Sequence, residues 1–194
     1  MRTACAFPTL VFALTIATGP GVLHSLQSPA APSSDNQKVL SDFSKKAKDY
    51  MSKEQMLSAG KMKPTTDVAK LQQQRKQLRD AVQQSRANSK QGDLFSSETA
   101  EAFRKLLVDL LNGPEGKKIK TSLNHAEPGA SAAFTVNGEF PNKNGQPIQS
   151  VPPTVLKVLP ALPKGLEYCI AGKTLALRDS AANMVVDYLP NALP

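Results

Sequence analysis

The chain has 194 residues, 24 Lys and Arg against 16 Asp and Glu, a formal net charge of +8, two cysteines and two histidines. So few His and Cys exclude a dense cluster of imidazole and thiolate metal ligands. The surplus of positive charge favours partners of opposite sign.

The first 34 residues carry one charge, Arg2, and Phe7 to Ala17 is almost wholly apolar. Gly19, Pro20 and Gly21 follow, then Ser28-Pro29-Ala30-Ala31. A short positive start, an apolar run of about 7–15 residues and small residues before the cut describe a secretory signal peptide. The expectation is a leader over residues 1–30, cut after Ala30, and a secreted or periplasmic address. The alternative is an uncleaved anchor, but a membrane span needs roughly 20 apolar residues. Pro8, Gly19, Pro20 and Gly21 break this run, so no transmembrane segment is expected once the leader is cleaved. About 164 residues remain, enough for one ordinary domain with a core. Cys5 leaves with the leader, so Cys169 stands alone and no internal disulfide can form. It either pairs with a second chain or is a buried, inert thiol, and burial is the commoner fate of a free cysteine.

From Asp35 to Asp93 there are 13 basic against 7 acidic residues, a net of +6; from Leu94 to Pro194 there are 10 against 9, a net of +1. The basic character therefore belongs to residues 31–93. Asp35 can cap a first helix running to about Ala59, with Val39, Leu40, Phe43, Ala47, Tyr50 and Met51 on one apolar stripe. A second helix starts near Thr66 or Asp67 and runs to about Asn88. Its apolar line, Val68, Leu71, Leu78 and Val82, is narrow. Lys76, Arg79, Arg86 and Lys90 form a separate basic stripe. Such a helix needs a partner to be stable, and the first helix is the nearest, giving a helical hairpin. The same narrow seams would suit a homodimer.

Ala87–Asp93 reads as a polar loop. Ser96-Ser97-Glu98 opens a third helix, whose stripe of Phe103, Leu106, Leu107, Leu110 and Leu111 marks it as the core helix. Asn112-Gly113-Pro114 stops it, and Gly113–Lys118 reads as that stop rather than as a phosphate cradle. Ala132–Phe140 reads as a strand or a bulged hairpin arm. Residues 141–163 hold six prolines in 23 positions, which forbids long helices and central strands. An extended wrap is expected there, with one helical turn over Thr154–Leu159. Alternation then marks strands over Leu166–Ala171, Thr174–Arg178 and Met184–Leu189, joined by turns at Gly172-Lys173 and Asp179–Asn183. Asp179 reads as a turn acceptor, and Asp187 is expected to face solvent with Val185. The fold class is α+β: an N-terminal helical hairpin, one core helix, a Pro-rich extended segment and a C-terminal three-stranded antiparallel meander. Residues 94–194 form the compact α+β unit.

The closing residues are Leu159-Pro160-Ala161-Leu162-Pro163, Leu166, Tyr168, Gly172, Leu175, Leu177, Asp179 and Val185-Val186-Asp187. This string resembles the C-terminus of a group of small uncharacterised secreted bacterial proteins. The resemblance covers about 75 residues and implies export but no activity. A looser likeness, to periplasmic nickel/cobalt-homeostasis proteins, rests on a Pro-rich lead followed by a Tyr-bearing three-stranded meander. It implies no ligand set here.

Chemistry is sparse. His125, beside Glu127 in a predicted loop, offers at most two metal ligands. A hydrolase would need His125 as its base, and neither a Gly-x-Ser-x-Gly elbow nor an exposed thiol accompanies it. Glu98 and Glu101 open a helix, where acids favour the dipole. The basic stripe lacks the interleaved aromatics of a single-strand nucleic-acid binder. No catalytic, cofactor-binding or metal residue is assigned, and no cofactor is expected. The sequence favours a non-catalytic binding or accessory protein of the cell envelope, with Lys76, Arg79, Arg86 and Lys90 contacting an acidic partner. The alternatives are a small envelope hydrolase using His125 and a metal-handling periplasmic protein.

Overall fold

The computed structural model describes residues 34–125, 134–141 and 151–194. The expected leader, Glu127, the first residues of the 132–140 segment and most of the first half of the Pro-rich segment lie outside the described residues.

Helix α1 spans Ser34–Ser58 and buries Phe43, Ala47, Tyr50 and Met51 along its predicted stripe. It ends before Gly60, whose φ of 77° is the left-handed conformation that glycine adopts without steric penalty. Helix α2, Val68–Ser85, is capped by Asp67, whose Oδ1 accepts from the main-chain N–H of Ala69 and Lys70. Only Leu78 and Val82 are buried on α2, while Val68 is exposed, so its apolar face is as narrow as its sequence predicts. The seams of both helices lie in this chain's own core.

Helix α3, Ser97–Asn112, is capped by the Ser96 hydroxyl and buries Ala100, Phe103, Leu107 and Leu111. Its Phe103 meets Phe43 of α1 edge-on at 4.8 Å between ring centroids, and Phe95 closes the trio at 5.2 Å from Phe103 and 5.5 Å from Phe43. Edge-to-face pairs of this kind add about 0.5–1.5 kcal/mol beyond area burial. The basic helical region and the α+β unit thus share one core, a packing the sequence leaves open.

Two expectations about the chain after α3 are corrected. Asn112-Gly113-Pro114 does end α3, but a further helix, α4 (Gly116–His125), follows at once, and His125 is its last residue rather than a loop residue. Pro114 takes the second position of the turn that the Gly116 N–H closes on the Gly113 carbonyl at 3.0 Å, where its fixed φ is favourable, and Gly116 lets the new helix begin against the backbone of Leu111, where a Cβ would collide. Ile119 seats α4 in the core. The described part of the 132–140 segment makes turns and a single bridge, Glu139 to Met184, instead of a strand. In the Pro-rich segment, helix α5 is one turn, Pro153–Leu156, beginning one residue before the predicted turn.

Strands β1 (Leu166–Ala171), β2 (Thr174–Asp179) and β3 (Met184–Leu189) form an antiparallel meander in the order β1-β2-β3. One face packs Leu166, Tyr168, Ile170, Leu175, Leu177, Met184 and Leu189 against the helices. The other forms a small second cluster of Cys169, Ala176 and Val185 covered by Phe134 and Phe140.

The register between β2 and β3 shifts after Arg178: Arg178 stands opposite Val185, yet Leu177 stands opposite Asp187. The extra residue on β3 is a bulge, and a bulge reverses which face every later residue presents. Val186 and Asp187 consequently both turn toward the helices, and both are fully buried. Asp187 does not face solvent with Val185, as simple alternation predicts.

Candidate functional site

The polar chemistry of the molecule gathers where α1 and the end of α2 meet the β2–β3 turn. Tyr50 and Glu54 lie one turn apart on the inward face of α1, the spacing at which side chains stack on a helix. Asp179 ends β2 and is fully buried. Its Oδ1 accepts from the N–H of Ala181 and Ala182, each at 2.9 Å, which bears out the predicted turn-acceptor role. Its Oδ2 accepts from the Tyr50 hydroxyl at 2.7 Å. Arg86, the C-cap of α2, lays its guanidinium over the Tyr50 ring at 5.0 Å from the centroid. Its Nη2 donates to the Val186 carbonyl at 3.1 Å and its Nε to the Ser89 hydroxyl at 3.2 Å.

Tyr50, Glu54, Arg86 and Ser89 border a groove of about 380 Å3 between α1 and α2, with Lys46, Asp49, Lys53 and Asp93 also lining it. Glu54 lines it, only 4 % exposed. Its carboxyl is pushed up to about 7 by burial and then by the nearby Asp179 carboxylate. The Tyr50 phenol is pushed well above its ordinary range by burial, then by the charge of Asp179 and its bond to it. Tyr50 therefore stays protonated, with its proton committed to Asp179. Glu54 is the titratable group of the groove that exchanges protons near neutral pH.

A second buried carboxylate organises the approach to α3. Asp187 Oδ1 accepts from the N–H of Gly92 at 3.0 Å and of Tyr188 at 2.8 Å, and Oδ2 from Leu94 at 2.8 Å and Phe95 at 2.9 Å. The loop expected over Ala87–Asp93 is thereby tied to the sheet.

The predicted basic stripe divides. Lys76 is exposed and bonds Asp80 one turn away at 2.7 Å. Arg79 turns inward, its Nη1 donating to the Ala182 carbonyl at 3.3 Å and facing Glu139 at 3.2 Å. Arg86 turns inward as described. Lys90 is exposed, and its main-chain N–H bonds Asp93. The structure brings the two arginines onto the β3 side of the sheet and leaves the two lysines at the surface.

A second groove, of about 510 Å3, runs between the Pro-rich segment and β1, lined among others by Leu156, Leu162, Cys169 and Arg178. Burial pushes the Cys169 thiol up to about 12, which leaves it protonated and unreactive. Among the described residues no three His, Cys, Asp or Glu side chains converge as metal ligands, and no helix is long and apolar enough to cross a membrane.

Sequence reasoning missed Glu54 and Asp187. The cue for Glu54 was present: position 54 continues the inward line of 43, 47 and 50, so an acid there is off-pattern. Asp187 stands out as an acid inside an apolar strand, but the bulge that turns it inward leaves no mark on local alternation. No family model matches this chain, and no curated protein or solved structure matches it.

Proposed function

We propose that the chain is an exported, non-catalytic binding or accessory protein of the cell envelope, whose basic helical region engages an acidic partner. The observation that carries the reading is the state of the α1 lysines. Lys38, Lys45, Lys48 and Lys53 are exposed, and none of them enters an ion pair among the described residues. Unpaired surface cations gain nothing for the fold at this position, and they raise encounter rates with polyanions in a salt-dependent way. Lys76 and Lys90 of the predicted stripe add to the same exposed set, whereas Arg79 and Arg86 act through the sheet. The apolar leader and the resemblance to small secreted bacterial proteins support the envelope as the place of action. Export also removes nucleic acid as the usual polyanion.

The test is photo-crosslinking in intact cells from position 76, with mass identification of what is captured. An acidic envelope component should be captured. Its yield should fall with added salt and vanish in a variant carrying Lys38→Glu, Lys45→Glu and Lys48→Glu. A yield that charge reversal leaves unchanged refutes the reading, as does full-length protein with Met1 intact in the cytoplasm.

A further inference from the structure

We propose that the groove between α1 and α2 binds a small zwitterion of the amino acid or short peptide class, held by its ammonium group on Glu54. This goes beyond the acidic-partner reading and uses the groove, which shares only Lys53 with the lysines named for that reading.

Glu54 is more than nine-tenths buried and lines the groove, yet its carboxyl meets no hydrogen-bond or ion-pair partner among the described residues. The sealed polar atoms without a partner among the described residues are Arg75 Nε, Arg86 Nη1 and Asn137 Oδ1; the Glu54 carboxyl instead opens into the groove, where it is free to take a donor. Asp179, by contrast, is saturated by Tyr50, Ala181 and Ala182. Arg86 also lines this part of the groove, over the Tyr50 ring, but the charge that acts on Glu54 is that of Asp179, so the open acid is backed by a second carboxylate and suits a cationic donor. The outer end carries the opposite sign in part: Lys46 and Lys53 are exposed at its edge. Between them lie apolar surfaces of Leu57, Val82 and Leu94. Asp49 and Asp93 share the outer edge and Lys46 is engaged by the Asp93 carbonyl at 2.9 Å, so Lys53 is the edge cation left for a carboxylate, while Glu54 is the open acid for an ammonium; a zwitterion answers both. The volume lies within the usual range of small-molecule sites, about 300–1,000 Å3.

The groups that face Glu54 set its response to pH. From α1 these are Tyr50, Asp49 and the two lysines; from the end of α2, Arg86; from the loop before α3, Asp93; and from β2, Asp179. Without ligand, burial and then the nearby Asp179 carboxylate favour the protonated form of Glu54. An arriving ammonium favours the carboxylate, so affinity rises as the proton is lost.

Calorimetric titration of the protein with the dipeptide Ala-Ala tests this. Ala-Ala should bind with Kd at or below about 1 mM. N-acetyl-Ala-Ala, which lacks the ammonium, should bind at least tenfold more weakly. Affinity for Ala-Ala should rise severalfold from about pH 5.5 to about pH 7.5. Glu54→Gln, an isosteric change, should lose both the binding and its pH dependence. Lys53→Glu, at an exposed position that leaves folding intact, should weaken Ala-Ala by several fold. Absence of Ala-Ala binding at about 10 mM, equal binding of the acetylated dipeptide, or unchanged affinity in Glu54→Gln overturns the proposal. The Glu54→Gln and acetylated-dipeptide results do not bear on the lysine-mediated partner contact, so the two readings fail separately.

Discussion

Replacing Asp187 by Ala removes an acceptor that four main-chain N–H groups share. The cost follows from where those donors sit. Leu94 and Phe95 are buried, so their N–H groups gain no water when the carboxylate goes. Each buried unsatisfied donor costs about 1–3 kcal/mol. Gly92 and Tyr188 are half-buried, and water replaces most of what they lose. Removing the carboxylate also removes its own desolvation, which offsets part of the total. The expected loss is about 3–4 kcal/mol, a large share of the roughly 5–15 kcal/mol that holds an ordinary domain folded. In urea denaturation followed by circular dichroism this moves the midpoint down by about 1–3 M at unchanged m. Asp187→Asn keeps the shape but turns an amide NH2 toward donors, so it should lose at least half as much. Amide exchange at Leu94 and Phe95 should speed up in both variants. As a control, Asp80→Ala removes only an exposed i,i+4 pair with Lys76 and should cost no more than about 0.5 kcal/mol. A loss under about 1 kcal/mol in Asp187→Ala, with protection of Leu94 and Phe95 intact, would show that the carboxylate does not hold the loop.

Tyr50→Phe deletes the 2.7 Å bond to Asp179 and leaves a buried carboxylate oxygen short of a donor; urea midpoints should show a loss of about 1.5–3 kcal/mol. Glu54 is raised from 4.5 to about 7 in the folded protein. The native state thus holds a proton that the unfolded chain releases, and stability falls as pH rises from about 4.5 through about 7. With screening by groove water allowed for, this window is worth about 1–2 kcal/mol; Glu54→Gln should flatten it, and an equal slope in both proteins would dismiss the assignment. Cys169 is buried with its thiol pushed up to about 12, so labelling by a thiol reagent should be negligible in buffer and complete in denaturant; rapid labelling of the native protein would contradict its place in the sheet.

Most of the fold was legible because local signals agreed with tertiary packing. The α1 stripe, the Asp67 and Ser96 caps and the alternation of β1 and β2 each point to one answer at short range, and long-range packing had nothing to reverse. The failures share one cause, a local signal overridden from a distance. Asn112-Gly113-Pro114 is a sound stop, but Ile119 two turns later finds a core position and draws out α4. Asp187 obeys alternation until the bulge moves it. The basic stripe is a true helical stripe, yet Arg79 and Arg86 reach the carbonyls of Ala182 and Val186, about 100 residues away in sequence. No periodicity encodes such a contact.

Those long-range polar contacts explain how a small sheet holds so many helices in place. Three strands alone are only marginally stable, and apolar packing against them leaves the helices some freedom to slide. The buried polar groups remove it. Asp179 takes α1 through Tyr50, Asp187 takes the start of α3 through Leu94 and Phe95, and α2 grips β3 and its preceding turn through Arg86 and Arg79. α1, α2 and the entry to α3 are each thereby fixed to the sheet by at least one directional bond, which a low-dielectric interior strengthens. The arrangement also sorts the charges. The acids and arginines that dock the helices are turned inward, while Lys70 and Lys76 of α2 pair with Asp67 and Asp80, so the cations left without an ion pair are exposed lysines of α1 such as Lys38, Lys45, Lys48 and Lys53. The net positive charge of the helical region is therefore carried by residues the fold does not use, which is where a charged partner would meet the least competition.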